Sequence, residues 1–311
     1  MKDFRKDLAD ERQDIYRKIN NIQEDIPGIE TESQDISENI RVGRVKILDA
    51  QGEEKLGKPV GTYITIDVKK LKIASDDDIQ KASEVVTAEL TKVLEKHIDK
   101  KDDILVVGLG NGYVTPDSLG PKVVKEVDIT RHFLKYTPQY IDPNTRPVSA
   151  VAPGVLGTTG IETMEIVQGI VENVKPKLVI VIDSLASKSI ERISSTIQIA
   201  DTGIVPGAGV DNTRNELSQK TLGIPVIAIG VPMVVDLATI TDNCLDIFID
   251  NLQKESKSNE ILNRLKEQSN YDEIKSALSI KEFNMIVTPK EIDELIENMK
   301  DVVVRGINFA L

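Results

Sequence analysis

Four short apolar runs constrain the fold of this chain more than any other feature of its sequence. Each run has four or five residues, is rich in β-branched side chains and carries no charge; the runs cover residues 104–107, 148–151, 178–182 and 225–229. Such runs are typical of strands that are buried on both faces of a sheet. Helical apolar patterns lie between several of them, so the alternation predicts a mostly parallel, twisted α/β sheet with helices on both faces.

The sequence before residue 100 is less regular. Apolar and polar residues alternate over 44–48 and 63–68, which predicts two strands that pair antiparallel. The highly charged stretch 7–26 has apolar residues at roughly helical spacing, as in a surface helix or a mobile arm. We therefore expect a small N-terminal β/helical appendage, and an extra antiparallel strand at 195–200.

Helical periodicity marks several later segments. It predicts helices over 76–97, 121–136, 161–174 and 234–252, and a final helix that runs to about residue 305. Thr288, Pro289 and Glu291 stand before that last helix in the order of a capping box.

Charge and cysteine content exclude several classes of function. The 311 residues include 39 Lys and Arg against 51 Asp and Glu, which gives a net charge of −12. An acidic chain repels a phosphate backbone, so no direct nucleic-acid partner is expected. The single cysteine excludes an internal disulfide. No secretory signal and no apolar segment long enough to span a membrane is present, so the expected location is intracellular.

Two acids lie where parallel sheets usually place their ligands and catalysts, at the carboxyl ends of strands. Asp117 closes a glycine-rich loop that follows the first apolar run, and Asp183 follows the third run directly. Two poorly hydrated carboxylates near each other do not both ionise, so one keeps a proton. Such a pair suits water-mediated amide hydrolysis, although acids that only cap a helix or satisfy backbone N–H groups are common at strand ends.

Other sites receive weaker support. The loop at 108–113 allows a non-catalytic nucleotide-binding module, but Tyr113 stands where a dinucleotide-binding loop has its third glycine. His132 is expected to be structural, and Cys244 falls in the apolar pattern of a late helix, which predicts a buried packing role. Ser184 and Lys188 are spaced for a Ser/Lys pair, although a solvated lysine is the simpler interpretation.

Many short motifs, in order along about two-thirds of the chain, resemble the spore germination protease family. They are GLGN (108–111), VTPD (114–117), LGP (119–121), TRH (130–132), RPVSA (146–150), APGV (152–155), GIET (160–163), IDSLA (182–186), TIQI (196–199), DTGI (201–204), PG (206–207), GIPVIAIGVP (223–232) and MIVTPKEID (285–293).

The resemblance implies an endopeptidase that cleaves small acid-soluble DNA-coating proteins in the spore core during germination. Its fold is expected to be of phosphorylase/hydrolase-like type, similar to that of hydrogenase maturation endopeptidases, and its catalytic aspartates match Asp117 and Asp183. In the hydrogenase relatives the equivalent acids bind a metal together with a histidine. No such histidine motif is present here, so a cofactor-free and metal-free acid pair is favoured over a metal-dependent maturation peptidase. The family also implies a homo-oligomer, a tetramer.

The resemblance further implies a zymogen that cuts its own N-terminus. An acid, an apolar residue and Ala stand in the required order at Asp7, Leu8 and Ala9, so 1–7 is the expected propeptide and 8–311 a single catalytic domain. Acid is expected to favour the cut by protonating one acid of the pair and by weakening carboxylate contacts that hold the pro-segment. An acid before the cut suggests a basic pocket, for which the candidates are Arg131, Arg146, Lys188 and Arg192.

Overall fold

The computed structural model describes residues 8–20, 26–69, 71, 74–207, 214–255, 271–280 and 285–311. Within these residues nine strands form the sheet, in the order β1-β2-β3-β7-β8-β6-β4-β5, with β9 paired to β8. The strands are β1 (Ile29–Asp35), β2 (Ile40–Ile47), β3 (Gly61–Val68), β4 (Ile104–Gly108), β5 (Val148–Val151), β6 (Leu178–Ala186), β7 (Thr196–Ala200), β8 (Val226–Asp236) and β9 (Ile286–Val287).

The sheet has a parallel half and an antiparallel half. Strands β5, β4, β6 and β8 are parallel neighbours, which confirms the four apolar runs as the strands of a parallel sheet. Strands β2 and β3 pair antiparallel as predicted, and β7 is the predicted antiparallel strand. Because β7 pairs with both β3 and β8, the N-terminal strands continue the central sheet.

Helices cover both faces of the parallel half. The described helices are α1 (Ala9–Asn20), α2 (Ala50–Leu56), α3 (Asp76–Leu94), α4 (Leu119–Val124), α5 (Arg131–Tyr136), α6 (Leu156–Thr159), α7 (Thr163–Val174), α8 (Gln219–Leu222), α9 (Leu237–Glu255), α10 (Tyr271–Ile280) and α11 (Ile292–Ala310). None of them is long and apolar enough to cross a bilayer.

Side-chain alternation divides the core between the two faces of the sheet. Ile104 and Ile180 point toward the layer of α3 and α11, whereas Leu105 and Val179 point toward α7. Helix α3 begins at a capping box, in which Ser75 and Asp78 satisfy each other's backbone N–H groups. On α11, a Cβ at Gly306 would lie 2.4 Å from Val86 Cγ1, so this glycine lets α3 and α11 pack closely.

Three predictions for individual segments are wrong. The helix predicted over 121–136 is divided into α4 and α5, because the Thr130 N–H donates to the Val148 carbonyl and the Thr130 hydroxyl donates to the Arg146 carbonyl. The Thr288 hydroxyl donates to the Met233 carbonyl (3.0 Å), so it does not cap α11. Cys244 is exposed on α9.

Candidate active site

Asp183 lies within β6, in the part that extends past its neighbour β4. Gly108, the last residue of β4, pairs with Ile182, and Asp183 is the next residue of β6. Its side chain is 6% exposed, and its Oδ1 accepts the Ser184 N–H at 2.9 Å. The strand continues to Ala186, so the acid is held by a regular ladder and not by the start of a loop.

A row of three residues crosses the sheet at Asp183. Asp183 pairs with Gly230 of β8, and Gly230 pairs with Gln198 of β7. Paired residues of neighbouring strands point to the same face, so the Asp183 and Gln198 side chains share one face with a glycine between them. A Cβ at Gly230 would lie 2.4 Å from Leu185 Cδ1, so the glycine makes room for the Leu185 side chain there.

Asp117 is held by the loop that follows β4. It ends a 3₁₀ turn at Thr115–Asp117, and its Oδ2 accepts the Asn111 N–H at 2.8 Å. Gly110 has a φ of +108°, and a Cβ there would lie 2.0 Å from the Asp117 carbonyl oxygen. Only glycine tolerates that approach and that backbone conformation.

The loop of Asp117 also contacts β6, the strand that carries Asp183. The Leu109 N–H donates to the Ile182 carbonyl (2.8 Å), the residue before Asp183, and the 3₁₀ turn packs against β6 and β8. Burial raises the pKa of Asp117, and the hydrogen bond from Asn111 opposes that rise. The loop therefore places a carboxyl group that retains its proton more readily than usual beside the strand that carries Asp183.

Four N–H groups of the glycine loop are hydrogen-bonded to acceptors of the protein itself. The N–H of Leu109 donates to Ile182, that of Asn111 to Asp117, that of Tyr113 to the Asn111 side chain and that of Val114 to the Asn111 carbonyl. A phosphate-binding loop needs such donors directed at the ligand. The arrangement favours a loop that positions Asp117 over the nucleotide-binding alternative.

The four basic candidates divide between two edges of the sheet. Arg131 lies 3.8 Å from Asp103, and Arg146 donates to the Asp99 and Asp102 carbonyls. These contacts surround the amino ends of β4 and β5. The loop of Asp117 lies at the other end of β4, which is about 13 Å long. Lys188 and Arg192 follow the carboxyl end of β6 and lie at the edge that carries Asp183.

The chain's own N-terminal segment occupies the surface beside Lys188 and Arg192. Asp7 lies outside the described residues, whereas Leu8 and Ala9 are fully buried. The Ala9 N–H donates to Gln198 Oε1 (3.0 Å). Arg192 Nη2 lies 2.7 Å from Asp10 Oδ2. Arg192 therefore forms an ion pair with Asp10, the third residue after the predicted cut.

Glu11 completes the contact of this segment. Its Oε1 lies 3.0 Å from Ser187 Oγ, its Oε2 accepts the Lys188 N–H at 3.3 Å, and Arg192 Nη1 is 4.0 Å away. Burial raises the pKa of Glu11 to about 7, against the opposing attraction of Arg192. Arg192 is itself partly withdrawn from water, but Asp10, Asp67 and Glu11 raise its pKa above the ordinary value.

A cavity of about 190 Å³ adjoins this segment on the same face of the sheet. Leu185, Gln198 and Gly230 form part of its floor, and Arg12 and Lys58 lie at its wall. The cavity gives this face of the sheet room for a polypeptide segment beside the row that carries Asp183.

The described residues contain no group of three or more His, Cys, Asp and Glu side chains arranged to hold a metal ion. The His132 ring contacts the Phe133 ring, with centroids 3.8 Å apart and planes tilted by 39°, and α5 places it beyond the amino end of β5. The predicted metal-free character of the acid pair stays a prediction.

Comparison with known proteins gives the family. A family model described as germination protease matches residues 5–270. The chain belongs to the germination protease family. It is 45% identical to the germination protease of Clostridium acetobutylicum, across 100% of this chain and 96% of the relative. It is 46% identical to that of Caldanaerobacter subterraneus subsp. tengcongensis, across 99% and 94%.

Membership of the germination protease family makes the chain a peptidase, as the sequence motifs predicted. Among solved structures, a [NiFe] hydrogenase maturation protease HycI from Thermococcus kodakarensis is 21% identical with a TM-score of 0.29, and the match covers 45% of this chain and 80% of that one.

Two residues of the site were not found by sequence reasoning. Gln198 is a polar side chain in a strand whose five residues are all buried, a local conflict that signals a specific partner. Ser187 gave no comparable signal, because a serine after a strand is ordinary. Its role depends on Glu11, which is 176 residues distant in sequence.

Proposed function

We propose that this germination protease is an endopeptidase that uses Asp117 and Asp183 as an acid pair to cleave small acid-soluble DNA-coating proteins in the spore core. Residues 1–7 are its propeptide, cut between Asp7 and Leu8, and residues 8–311 act as one catalytic domain without a cofactor. The observation that carries the proposal is the placement of two sheltered carboxyl groups on neighbouring segments at one edge of the sheet.

An acid pair of this kind needs one neutral and one ionised member. We assign the neutral role to Asp117, whose pKa is raised by burial, so that it supplies the proton while Asp183 acts as the carboxylate. Asp183 takes a proton from water as the water oxygen attacks the peptide carbonyl carbon, and Asp117 donates its proton to the carbonyl oxygen. The tetrahedral diol then collapses: Asp183 returns a proton to the leaving nitrogen, and Asp117 recovers one from a hydroxyl group.

The test is the separate substitution of each acid. Asp117→Asn and Asp183→Asn keep the side-chain volume but remove the titratable group, so each should reduce cleavage of a purified small acid-soluble spore protein by at least about a hundredfold. Both should also prevent the appearance of a new N-terminus at Leu8, measured by mass spectrometry. Asp128→Asn, an exposed position on the same segment of chain, is the matched control and should behave as the wild type.

Full activity in either variant of the acid pair would refute the assignment. Loss of activity with a chelator, restored by metal, would favour the metal-dependent maturation peptidase. A rise in melting temperature with nucleotide and no cleavage would favour the nucleotide-binding module.

A further inference from the structure

The surface that holds residues 8–11 has the features of a built peptide-binding site. We propose that this surface, the 8–11 site, binds the substrate residues that follow the scissile bond, and that Gln198, Ser187 and Arg192 determine its specificity. The inference rests on the proposed function, because Leu8 is the first residue after the proposed cut. It names the enzyme residues that recognise the substrate, and it assigns the recognition of acidic side chains to positions after the cut.

The first two positions of the 8–11 site are closed and apolar. Leu8 and Ala9 are both fully buried. Ala9 packs in a cluster that includes Tyr63 and Ala200, so this second position has room for a small side chain only. Gln198 accepts the Ala9 N–H, a main-chain contact that any non-proline residue can supply.

The third position of the 8–11 site selects an acid, and the fourth accepts a carboxyl group. Asp10 forms the 2.7 Å ion pair with Arg192, and both side chains are mostly withdrawn from solvent. Glu11 is 8% exposed and lies between the Ser187 hydroxyl and the Lys188 N–H. A basic side chain at either position would face Arg192 with only Asp67 and the remaining acid to offset the two positive charges.

The register of the sheet places the scissile bond near the catalytic acids. Gln198 and Asp183 are two strands apart in one row, which corresponds to about 10 Å. The carbonyl carbon of the bond between Asp7 and Leu8 is about 5 Å along the chain from the Ala9 nitrogen. A peptide anchored at Gln198 whose preceding residue runs along this row would bring that carbon to within about 5 Å of the Asp183 backbone.

The chain's own segment fills the 8–11 site, so a substrate must displace it. A substrate chain can bind only to the fraction of enzyme molecules in which residues 8–11 have left the site. The apparent affinity of the enzyme for a substrate is therefore reduced in proportion to that fraction. Full-length enzyme should consequently show a high KM for short peptides, with selectivity expressed in KM more than in kcat.

The experiment compares two fluorogenic peptides on the full chain. One contains Lys-Asp-Leu-Ala-Asp-Glu, and the other has Lys in place of the last two acids. Wild type should cleave the acidic peptide with a kcat/KM at least about tenfold higher, since charge-assisted contacts are lost in the other. Arg192→Gln should reduce this preference to less than about threefold, mainly through KM, whereas Arg131→Gln, a cation at the opposite edge, should preserve it.

Equal cleavage of the two peptides by wild type, or an unchanged preference in Arg192→Gln, would overturn the inference and leave the proposed function standing. Cleavage of both peptides by Asp183→Asn would refute the proposed function instead. If wild type cleaves neither peptide, fluorescence anisotropy of the labelled peptides on Asp183→Asn decides: selective, Arg192-dependent binding of the acidic peptide supports the 8–11 site, and equal or absent binding refutes it.

Discussion

Substitution of Glu11 by Gln should remove a pH dependence from the stability of this protein. The pKa of Glu11 rises from 4.5 to about 7 on burial, a difference of roughly 2.5 units, which corresponds to about 3 kcal/mol. The folded state binds the proton more tightly than the unfolded state does, so the free energy of unfolding rises as the pH falls from about 7 to 4.5 and declines as the pH rises through this window.

The contacts of Ser187 explain why a neutral side chain fits at this position. Its hydroxyl has one proton, and Ser187 Oγ lies 2.9 Å from the Ser189 carbonyl oxygen. When the Ser187 hydroxyl donates its hydrogen bond to the Ser189 carbonyl oxygen, a protonated Glu11 can donate to Ser187 Oγ while its other oxygen accepts the Lys188 N–H. A Gln amide has the same donor and acceptor, so Glu11→Gln should stabilise the protein at pH 8 by up to about 3 kcal/mol.

The assay is urea unfolding of wild type and Glu11→Gln at several pH values between 5 and 8. The difference between the two unfolding free energies should shrink toward zero as the pH falls, because other titrating groups cancel in the comparison. Hydrogen exchange at the Ala9 amide should slow in parallel. A difference in unfolding free energy between wild type and Glu11→Gln that stays constant from about pH 5 to 8 would refute the raised pKa of Glu11. At Glu11, the fourth residue after the predicted cut, acid tightens the contact; that acid weakens carboxylate contacts that hold the pro-segment itself stays a prediction.

Three further substitutions test packing at the site and away from it. Gly110→Ala should cost about 3 kcal/mol or more and abolish cleavage, because the new Cβ would collide with the Asp117 carbonyl at a positive φ; unchanged urea midpoints would contradict this. Gly306→Ala should cost about 1–3 kcal/mol through its contact with Val86 and spare peptide selectivity, as measured by thermal unfolding and kcat/KM. Arg146→Gln should cost about 2–4 kcal/mol, because its guanidinium serves two backbone carbonyls, and a lowered melting temperature with normal substrate preference is the expected result.

The parallel half of the sheet could be predicted because its strands are locally unambiguous. Residues 104–107 and 178–182 are apolar at every position, and only burial on both faces favours such a pattern. The loop of Asp117 could also be predicted, because its glycines stand where the chain must turn between strand and helix.

Contacts between remote segments could not be predicted. Nothing local to Thr130 indicates that it pairs with Val148 and divides a helix, and Thr288 is a good capping residue whose hydroxyl is taken by Met233. The 8–11 site depends on Gln198 being in register with Asp183, which the hydrogen-bond ladder sets and no sequence period reveals.

The insertion of β7 between β3 and β8 has a consequence for the order of folding. Ile66 of β3 pairs with Ile197 of β7. Strand β3 is synthesised early, so one of its edges has no partner until a segment about 130 residues later in the chain has been made. Closing so large a loop is slow, because entropy is lost before the new contacts compensate for it. A nascent chain on the ribosome therefore carries an unpaired edge on β3 while about 130 further residues are synthesised, and the central sheet cannot be completed until β7 has emerged.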